Sequence, residues 1–330
     1  MVVWEHANKL LAEGKSTQAV EHLRRCVELC PRHVLYHVRY MDAAHGLAPV
    51  KKGDASVPAA ASTAMREYYA KFEDDGDSPL APYFKARLQR FDGRNFQAQE
   101  LLSLALKRDS RFYFARYERG LIWRGVSRPH RAVQHLRRAL DTRPGFNDAR
   151  RELAECFAEL WEWSRAATHY RIYLAANPSD RVAQRAYLTL IAYRLDGRLN
   201  EANMLVLALL RENPRDLTLK MDLAAVYWKR GDPVKAAAMY REVLAVDHEY
   251  SRAALNLGNL HYDLGRRAKG EARRVALTKA RFAYRFYRAL GESEDAYDWF
   301  DLNLATRARL REIDLELGAR RKKDVTWRDL

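Results

Sequence analysis

An alanine recurs about every 34 residues through the middle of the chain, and this recurrence limits the possible folds more than any other feature. Each alanine is followed four positions later by a bulky residue and preceded twelve positions earlier by a small or apolar one. A proline follows three of them by twelve positions. The alanines are Ala132, Ala166, Ala202 and Ala236; the bulky residues are Leu136, Tyr170, Val206 and Tyr240; the prolines are Pro144, Pro178 and Pro214. Several positions that repeat together at the same spacing predict a stack of similar structural units.

The clearest unit reads LKMDLAAVYWKRGDPVKAAAMYREVLAVD. Its first half has apolar residues at helical spacing and ends at Gly231, a residue suited to a left-handed turn. Asp232 and Pro233 are typical of the cap and first position of a second helix. Ala236 and Tyr240 would then lie on the inner face of that helix. The unit is therefore predicted to be a helix-turn-helix pair in which small residues allow close approach.

This pattern resembles the tetratricopeptide repeat (TPR) family. The resemblance implies an all-α fold, a right-handed TPR α-solenoid of about 7–8 helix-turn-helix repeats with a concave groove. We expect the solenoid to occupy residues 1–291. Its repeats are predicted at about 1–33, 34–78, 79–111, 112–145, 146–179, 180–215, 216–249 and 250–291.

Two repeats and the C-terminus depart from the regular pattern. Residues 34–78 contain an insertion of about ten residues, which predicts a degenerate repeat with a mobile surface loop. A similar insertion in the last repeat predicts a long second helix near 266–290. Residues 292–318 are predicted to form a capping helix that ends at Gly318 and covers the last repeat. We expect residues 319–330 to be a basic flexible tail.

The chain is strongly basic, with 58 Lys and Arg residues, 43 Asp and Glu residues and a net charge of +15. This surplus favours an acidic partner, although a GC-rich genome that encodes surface cations as arginine would give the same composition. No run approaches the ~18–20 apolar residues of a membrane span, so we expect none. The N-terminal sequence lacks a signal peptide, which predicts a cytoplasmic protein, or a periplasmic or organellar one if a leader has been removed.

The sequence shows no persuasive chemical site. Cys26 and Cys30 lie one helical turn apart with His33 and His37 downstream, and a metal site could be imagined there. Both cysteines, however, fall where a helical repeat needs small buried residues. Gly-rich phosphate loops, metalloprotease His-Glu motifs and Gly-x-Ser-x-Gly elbows are absent from the sequence. We therefore expect a protein that is not an enzyme and has no catalytic residues, cofactor or metal.

The inner wall of the solenoid is the first candidate surface. In the family that this chain resembles, the first helix of each pair lines the groove, and the corresponding positions here are rich in Tyr, Trp and Arg. These residue types concentrate binding energy in protein interfaces. The alternative is that several of the tyrosines pack between neighbouring helices. The predicted groove residues are Tyr83, Arg87, Arg90, Tyr117, Arg124, Arg151, Tyr187, Arg194, Trp228, Lys229, Arg252, Asn259 and Tyr262.

The second candidate surface is the long basic helix near residues 266–290. Its predicted outward stripe consists of Arg274, Arg281, Arg285 and Arg288. These cations repel each other unless an anion lies nearby. Three sources of that anion are open: the acidic start of the next helix, a protein partner, or a nucleic acid or membrane headgroup. The acidic residues of that helix start are Glu292, Glu294, Asp295 and Asp298.

The leading hypothesis is a non-enzymatic scaffold or adaptor that binds a protein segment carrying acidic and apolar anchors. The basic helix would supply a second contact or an oligomerisation surface. The alternative is a nucleic-acid (RNA)-binding repeat protein or a component of a ribonucleoprotein, supported by the net charge. Against this alternative, the repeats lack the regular pairs of base-reading side chains of base-per-repeat proteins. A third possibility is the adaptor portion of a longer polypeptide with a catalytic domain elsewhere.

Overall fold

The computed structural model describes residues 2–46, 59–72, 76–291 and 297–318. Over these residues all regular structure is helical, which confirms the predicted all-α class. The α-helices are α1 Val2–Ala12, α2 Ser16–Leu29, α3 Val34–His45, α4 Ala59–Ala70, α5 Leu80–Phe91, α6 Asn95–Arg108, α7 Tyr113–Gly125, α8 Pro129–Thr142, α9 Asn147–Glu159, α10 Trp163–Ala176, α11 Arg181–Tyr193, α12 Leu199–Glu212, α13 Leu217–Lys229, α14 Pro233–Val246, α15 Ser251–Arg267, α16 Gly270–Gly291 and α17 Tyr297–Leu317. A short 3₁₀ helix, Asp196–Arg198, precedes α12.

The helices form consecutive pairs, and apart from the connection between α3 and α4, which lies largely outside the described residues, the two helices of a pair are joined by a short turn. Two helices fall within each predicted repeat, and α17 follows the last pair. The chain divides into two compact units, Met1–Tyr173 and Leu174–Leu330, named unit 1 and unit 2 below. Within unit 1, α5 packs on α6 and α7 on α8; within unit 2, α13 packs on α14 and α15 on α16. Each unit is therefore a layer of helix pairs that shield one another's apolar faces.

The turn within a pair places one residue in the left-handed region. Gly93 and Gly231 occupy this position with φ values of 75° and 81°. Ser127 and Trp161 occupy it in the two pairs that follow Gly93, with φ values of 55° and 62°. Side chains larger than glycine adopt this conformation only with strain. The repeat register therefore fixes the turn geometry even where glycine is missing.

The start of the second helix is set by the residues predicted for it. The Asp232 carboxylate accepts the backbone N–H of Lys235 at 3.1 Å, and Pro233 is the first residue of α14. This arrangement satisfies an N–H group that has no partner within the helix. The left-handed turn, the cap and the proline start that the sequence predicted at 231–233 are confirmed.

Close helix approach depends on the small residues of the repeat. A Cβ added at Gly120 would lie 2.7 Å from Cδ2 of Leu136, and one added at Gly258 would lie 2.6 Å from Cδ1 of Tyr284. Ala132 is also fully buried in the same α7–α8 contact region. These distances are shorter than any van der Waals contact between carbon atoms. The glycine and the bulky residue are thus complementary halves of one helix–helix contact.

The irregular regions agree with the sequence in part. The long helix α16 begins later than predicted, because α15 continues through Gly265 and the turn instead uses Gly270, with φ 58°. Gly265 serves packing, since a Cβ there would lie 2.6 Å from Leu277. The predicted mobile loop, at residues 47–58, and the predicted tail, at 319–330, lie outside the described residues.

Candidate partner-binding surfaces

In unit 1, the predicted groove arginines are bound by carboxylates of the same chain. Arg87 is buried, and its guanidinium contacts Asp42 of α3 and Glu118 of α7; Nε lies 3.1 Å from Glu118 Oε1. Arg90 reaches the other oxygen of Glu118, with Nε donating to Oε2 at 2.7 Å. One buried carboxylate therefore holds two guanidinium groups of the preceding first helix. Arg87 is withdrawn from the surface, contrary to the prediction.

The same arrangement recurs 34 residues later. Arg124 of α7 contacts Glu152, Glu155 and Glu159 of α9, and its Nε donates to Glu159 Oε1 at 2.9 Å. Arg151 also lies against this group, 3.3 Å from Glu152. The pairs Arg90–Glu118 and Arg124–Glu152 thus occupy equivalent positions in successive repeats. Because each pair joins the first helix of one repeat to that of the next, the cations stabilise the stack.

The two predicted groove tyrosines of unit 1, Tyr83 and Tyr117, pack against aromatic side chains of the same chain. Tyr83 has no exposed surface and packs against Phe84 and Phe112, so the groove assignment of Tyr83 is wrong. Tyr117 packs edge-on against Phe146 with ring centroids 5.0 Å apart. Burial raises the pKa values of Tyr83 and Tyr117 well above the usual range. The alternative reading of these positions, packing between neighbouring helices, is the one that the structure supports.

In α11, the inward positions predicted from the sequence are two residues too far along the chain. Tyr187 is buried, and its hydroxyl donates to the carboxylate of Glu201 on α12. The two extra residues of this repeat lie in the turn that contains Asp196–Arg198 and not before α11. The positions equivalent to those in α9 are therefore Arg185, Thr189 and Tyr193. Of these, Tyr193 is 40% exposed and was missed from the sequence, because its register is visible only once the helix ends are known.

Unit 2 carries an exposed polar and aromatic surface on its first helices. The Tyr193 hydroxyl donates to Asp222 Oδ1 of α13 at 2.8 Å. Lys229 Nζ donates to the Tyr193 carbonyl at 3.2 Å and to Asp196 Oδ1 at 2.8 Å. Burial raises the pKa of Tyr193, and so do the charge of Asp222 and the hydrogen bond to it. These contacts hold the tyrosine ring at the end of α11 in a fixed orientation.

Three further predicted groove residues lie on or beside this surface. Trp228 is partly buried and packs its ring against the unit 2 core, and Arg252 at the start of α15 is exposed. Arg194 is exposed at the end of α11. We name the set Arg185, Tyr193, Trp228, Lys229 and Arg252 the unit 2 wall. It combines aromatic rings with exposed cations; Trp228, Lys229 and Arg252 belong to the predicted groove set, whereas Arg185 and Tyr193 do not.

The last two predicted groove residues are covered by α17. The Tyr262 hydroxyl donates to Glu312 Oε2 at 2.5 Å. Asn259 accepts from the Tyr284 hydroxyl at 2.8 Å and from the guanidinium of Arg309. Both side chains therefore bind the chain's own final helix and are withdrawn from the groove. The α17 helix ends at Leu317, before Gly318 with φ 78°, where the sequence placed its end.

The basic helix α16 is partly neutralised by α17. Arg281 is buried and lies 3.4 Å from Asp314 Oδ1, so its placement on an outward stripe is wrong. Arg285 contacts the same carboxylate at 3.3 Å. Arg274 remains exposed, and Arg288 is partly exposed. The pairing carboxylates come from the C-terminal half of α17, whereas Glu292, Glu294 and Asp295 lie outside the described residues and the side chain of Asp298 is not described.

The described part of the chain offers no evident metal site. Those residues form no cluster of three or more His, Cys, Asp or Glu side chains suited to a metal ion. Cys30 is exposed and Cys26 is buried, and both are free thiols. No helix of residues 2–46, 59–72, 76–291 and 297–318 has the length and apolar character needed to span a membrane.

Comparison with known proteins gives a consistent result. The profile of the family described as "Tetratricopeptide repeat" matches residues 124–181, 187–251 and 221–281. Comparison with curated proteins gives no significant sequence match. A solved structure described as YrrB, a TPR protein with an unusual peptide-binding site, is 18% identical; the match covers 58% of this chain and 94% of that chain, with a TM-score of 0.50.

A second solved structure matches over more of the chain. A chain of the APC/C hetero-tetramer Cut9-Hcn1 is 10% identical over 93% of this chain and 54% of that chain, with a TM-score of 0.51. At these identities the likeness concerns the fold alone. The family profile, the 34-residue register and the helix pairs agree with one another. Residues 124–181 and 187–281 therefore consist of tetratricopeptide repeats.

Proposed function

We propose that this protein is a non-enzymatic scaffold that binds a partner protein on the unit 2 wall. Proteins of the tetratricopeptide repeat family are generally interaction scaffolds without enzymatic activity. The observation that supports this surface is that Arg252 and the Tyr193 ring are exposed, and that the Lys229 ion pair with Asp196 lies at the surface. The predicted groove arginines Arg87, Arg90 and Arg124 of unit 1 are instead bound to the buried carboxylates of Glu118 and Glu152. An acidic group of a partner displaces an exposed carboxylate more readily than a buried one.

The chemistry of the wall defines the segment it fits. Arg252 and Lys229 offer cations to acidic side chains, and the exposed part of the Tyr193 and Trp228 rings offers apolar area. The ring of Tyr193 is oriented before binding by its hydrogen bond to Asp222. Preorganised side chains lose little conformational entropy on association. The segment is therefore expected to carry Asp or Glu beside an apolar anchor.

The ion pairs of unit 1 carry more negative charge than the unit 2 wall, and we expect unit 1 to contribute less to partner binding. Its inner ion pairs gather Asp42, Glu118, Glu152, Glu155 and Glu159 around four arginines. An acidic segment would meet this net negative charge and would have to displace a carboxylate that is already bound. The basic helix α16 retains Arg274 for a second contact, since Arg281 and Arg285 are engaged by α17.

Site-specific photo-crosslinking tests the proposal. A photoreactive phenylalanine analogue replaces Arg252 on the wall or, as the control, Arg211, an exposed residue at the end of α12. The proposal expects a discrete adduct from the Arg252 position only. The purified partner should then bind the Tyr193→Ala variant roughly tenfold or more weakly, because such aromatic anchors contribute about 1–3 kcal/mol. Equal adducts from both positions, or unchanged affinity, would contradict the assignment.

A further inference from the structure

Arginines lie close together on the two helices of the α7–α8 pair. Arg119 of α7 is an electrostatic neighbour of Arg116 on the same helix and of Arg138 on α8, and His135 of α8 lies beside all three. Within the described residues, no carboxylate lies within ion-pair distance of these three arginines. This set, which we name the basic seam, lies on a different face of α7 from Arg124.

The seam is electrostatically unfavourable in the isolated chain. Burial lowers the pKa of Arg119, and the neighbouring charges of Arg116 and Arg138 lower it further. The pKa of His135 is lowered to about 4, first by burial and then by the same three arginines. The only acidic residues of α7 and α8 are Glu118, which binds Arg87 and Arg90, and Asp141, which forms no ion pair with any residue that the structure describes.

An equivalent position in unit 2 shows how such a contact is neutralised within the protein. In the α13–α14 pair, Lys220 stands where Arg116 stands in α7, and Glu242 stands where Arg138 stands in α8. Lys220 and Glu242 form an ion pair. The repeat can therefore accommodate opposite charges at these two positions. The α7–α8 pair has two arginines at these positions, and no ion pair within the described residues balances their charge.

An aromatic ring with a cation stacked on it also lies on this helix pair. Arg131 of α8 lies over the partly buried Trp123 ring at 4.5 Å. Cations beside an aromatic ring match a polymer of charged phosphates and bases.

These observations point to nucleic acid as the occupant. We infer that the basic seam binds the phosphate backbone of single-stranded RNA, with Arg116, Arg119 and Arg138 contacting phosphates and Trp123 with Arg131 supporting a stacked base. An acidic protein segment is less well matched, because α7 and α8 expose no large hydrophobic side chain for an apolar anchor. The seam is distinct from the unit 2 wall, so the two surfaces can be tested independently.

The decisive variant is Arg138→Glu, which copies the charge pattern of Lys220 and Glu242. It should place opposite charges across the α7–α8 contact, so the thermal midpoint should hold or rise while RNA binding is lost. The matched control is Arg211→Glu, which makes the same change in net charge at an exposed position of α12. Arg138→Gln, which removes the charge without reversing it, is the second variant.

Binding is measured by fluorescence anisotropy with a labelled oligouridylate of about twelve nucleotides. We expect the logarithm of the affinity to fall with the logarithm of salt concentration with a slope of about −3, since about four cations each contribute about −0.7. Arg138→Glu should weaken binding about tenfold or more and reduce the slope, and Arg138→Gln should act in the same direction. Arg211→Glu should change the affinity by less than about twofold.

Three results would overturn the inference. The first is that the wild-type protein does not bind oligouridylate. The second is that Arg138→Glu and Arg211→Glu weaken binding equally, which would indicate net charge in place of a defined surface. The third is that a labelled oligoglutamate peptide binds in an Arg138-dependent manner while the RNA does not. A lowered thermal midpoint in Arg138→Glu would contradict the argument from like charge.

Discussion

Replacement of Glu118 on α7 by glutamine removes the negative charge that binds Arg87 and Arg90 of α5. Glu118 is 1% exposed, and its carboxylate lies between Arg87 and Arg90. A buried guanidinium that loses its carboxylate typically costs about 3–5 kcal/mol. Because Asp42 still contacts Arg87 and the amide can accept a hydrogen bond, we expect the lower end, about 3 kcal/mol. That is a large fraction of the stability of an ordinary domain.

The assay is urea unfolding followed by circular dichroism, combined with hydrogen exchange. The Glu118→Gln variant should unfold at lower urea, and the loss of protection should begin in α5 and α7, because repeat arrays open locally. The effect should persist between about 0.1 M and about 1 M NaCl, since buried charges are poorly screened. The matched control is Glu159→Gln, which removes the most exposed carboxylate around Arg124 and should cost less than about 1 kcal/mol. Equal losses from the two variants would refute the argument that the buried pair stabilises the stack.

Two further predictions follow from packing and from burial. Gly258→Ala should destabilise the chain by about 1–3 kcal/mol in urea unfolding, because the new methyl group would lie 2.6 Å from the Tyr284 ring; Gly125→Ala, with open space around it, should be neutral or mildly stabilising. Burial lowers the pKa of His261 to about 4, so the unfolded state takes up its proton first and stability should fall as pH decreases from about 6.5 to about 4. The urea midpoint of His261→Asn should depend less on pH over this range, and an unchanged pH profile would contradict the assignment.

Sequence periodicity was sufficient to predict the helix pairs, because the features that form a pair lie close together in the sequence. Small residues at the helix contact, a left-handed residue in the turn and a capped second helix recur wherever the pair is built, so each can be read from one repeat. The turn at Trp161 shows the strength of this constraint, since the register places a bulky residue where the backbone favours glycine. The inward positions of α11 could not be read in the same way, because the sequence does not show on which side of that helix its two extra residues lie.

What the sequence determined by itself was the all-α repeat architecture and the residue types on its first helices. The tertiary structure alone decided which of those side chains remain accessible. Arg87 and Arg281 were predicted from the sequence to be accessible cations, yet carboxylates 45 and 33 residues away engage them and they are buried. Periodicity reports which face of a helix a residue occupies, whereas the burial of a charge depends on whether a distant part of the chain supplies its counter-charge.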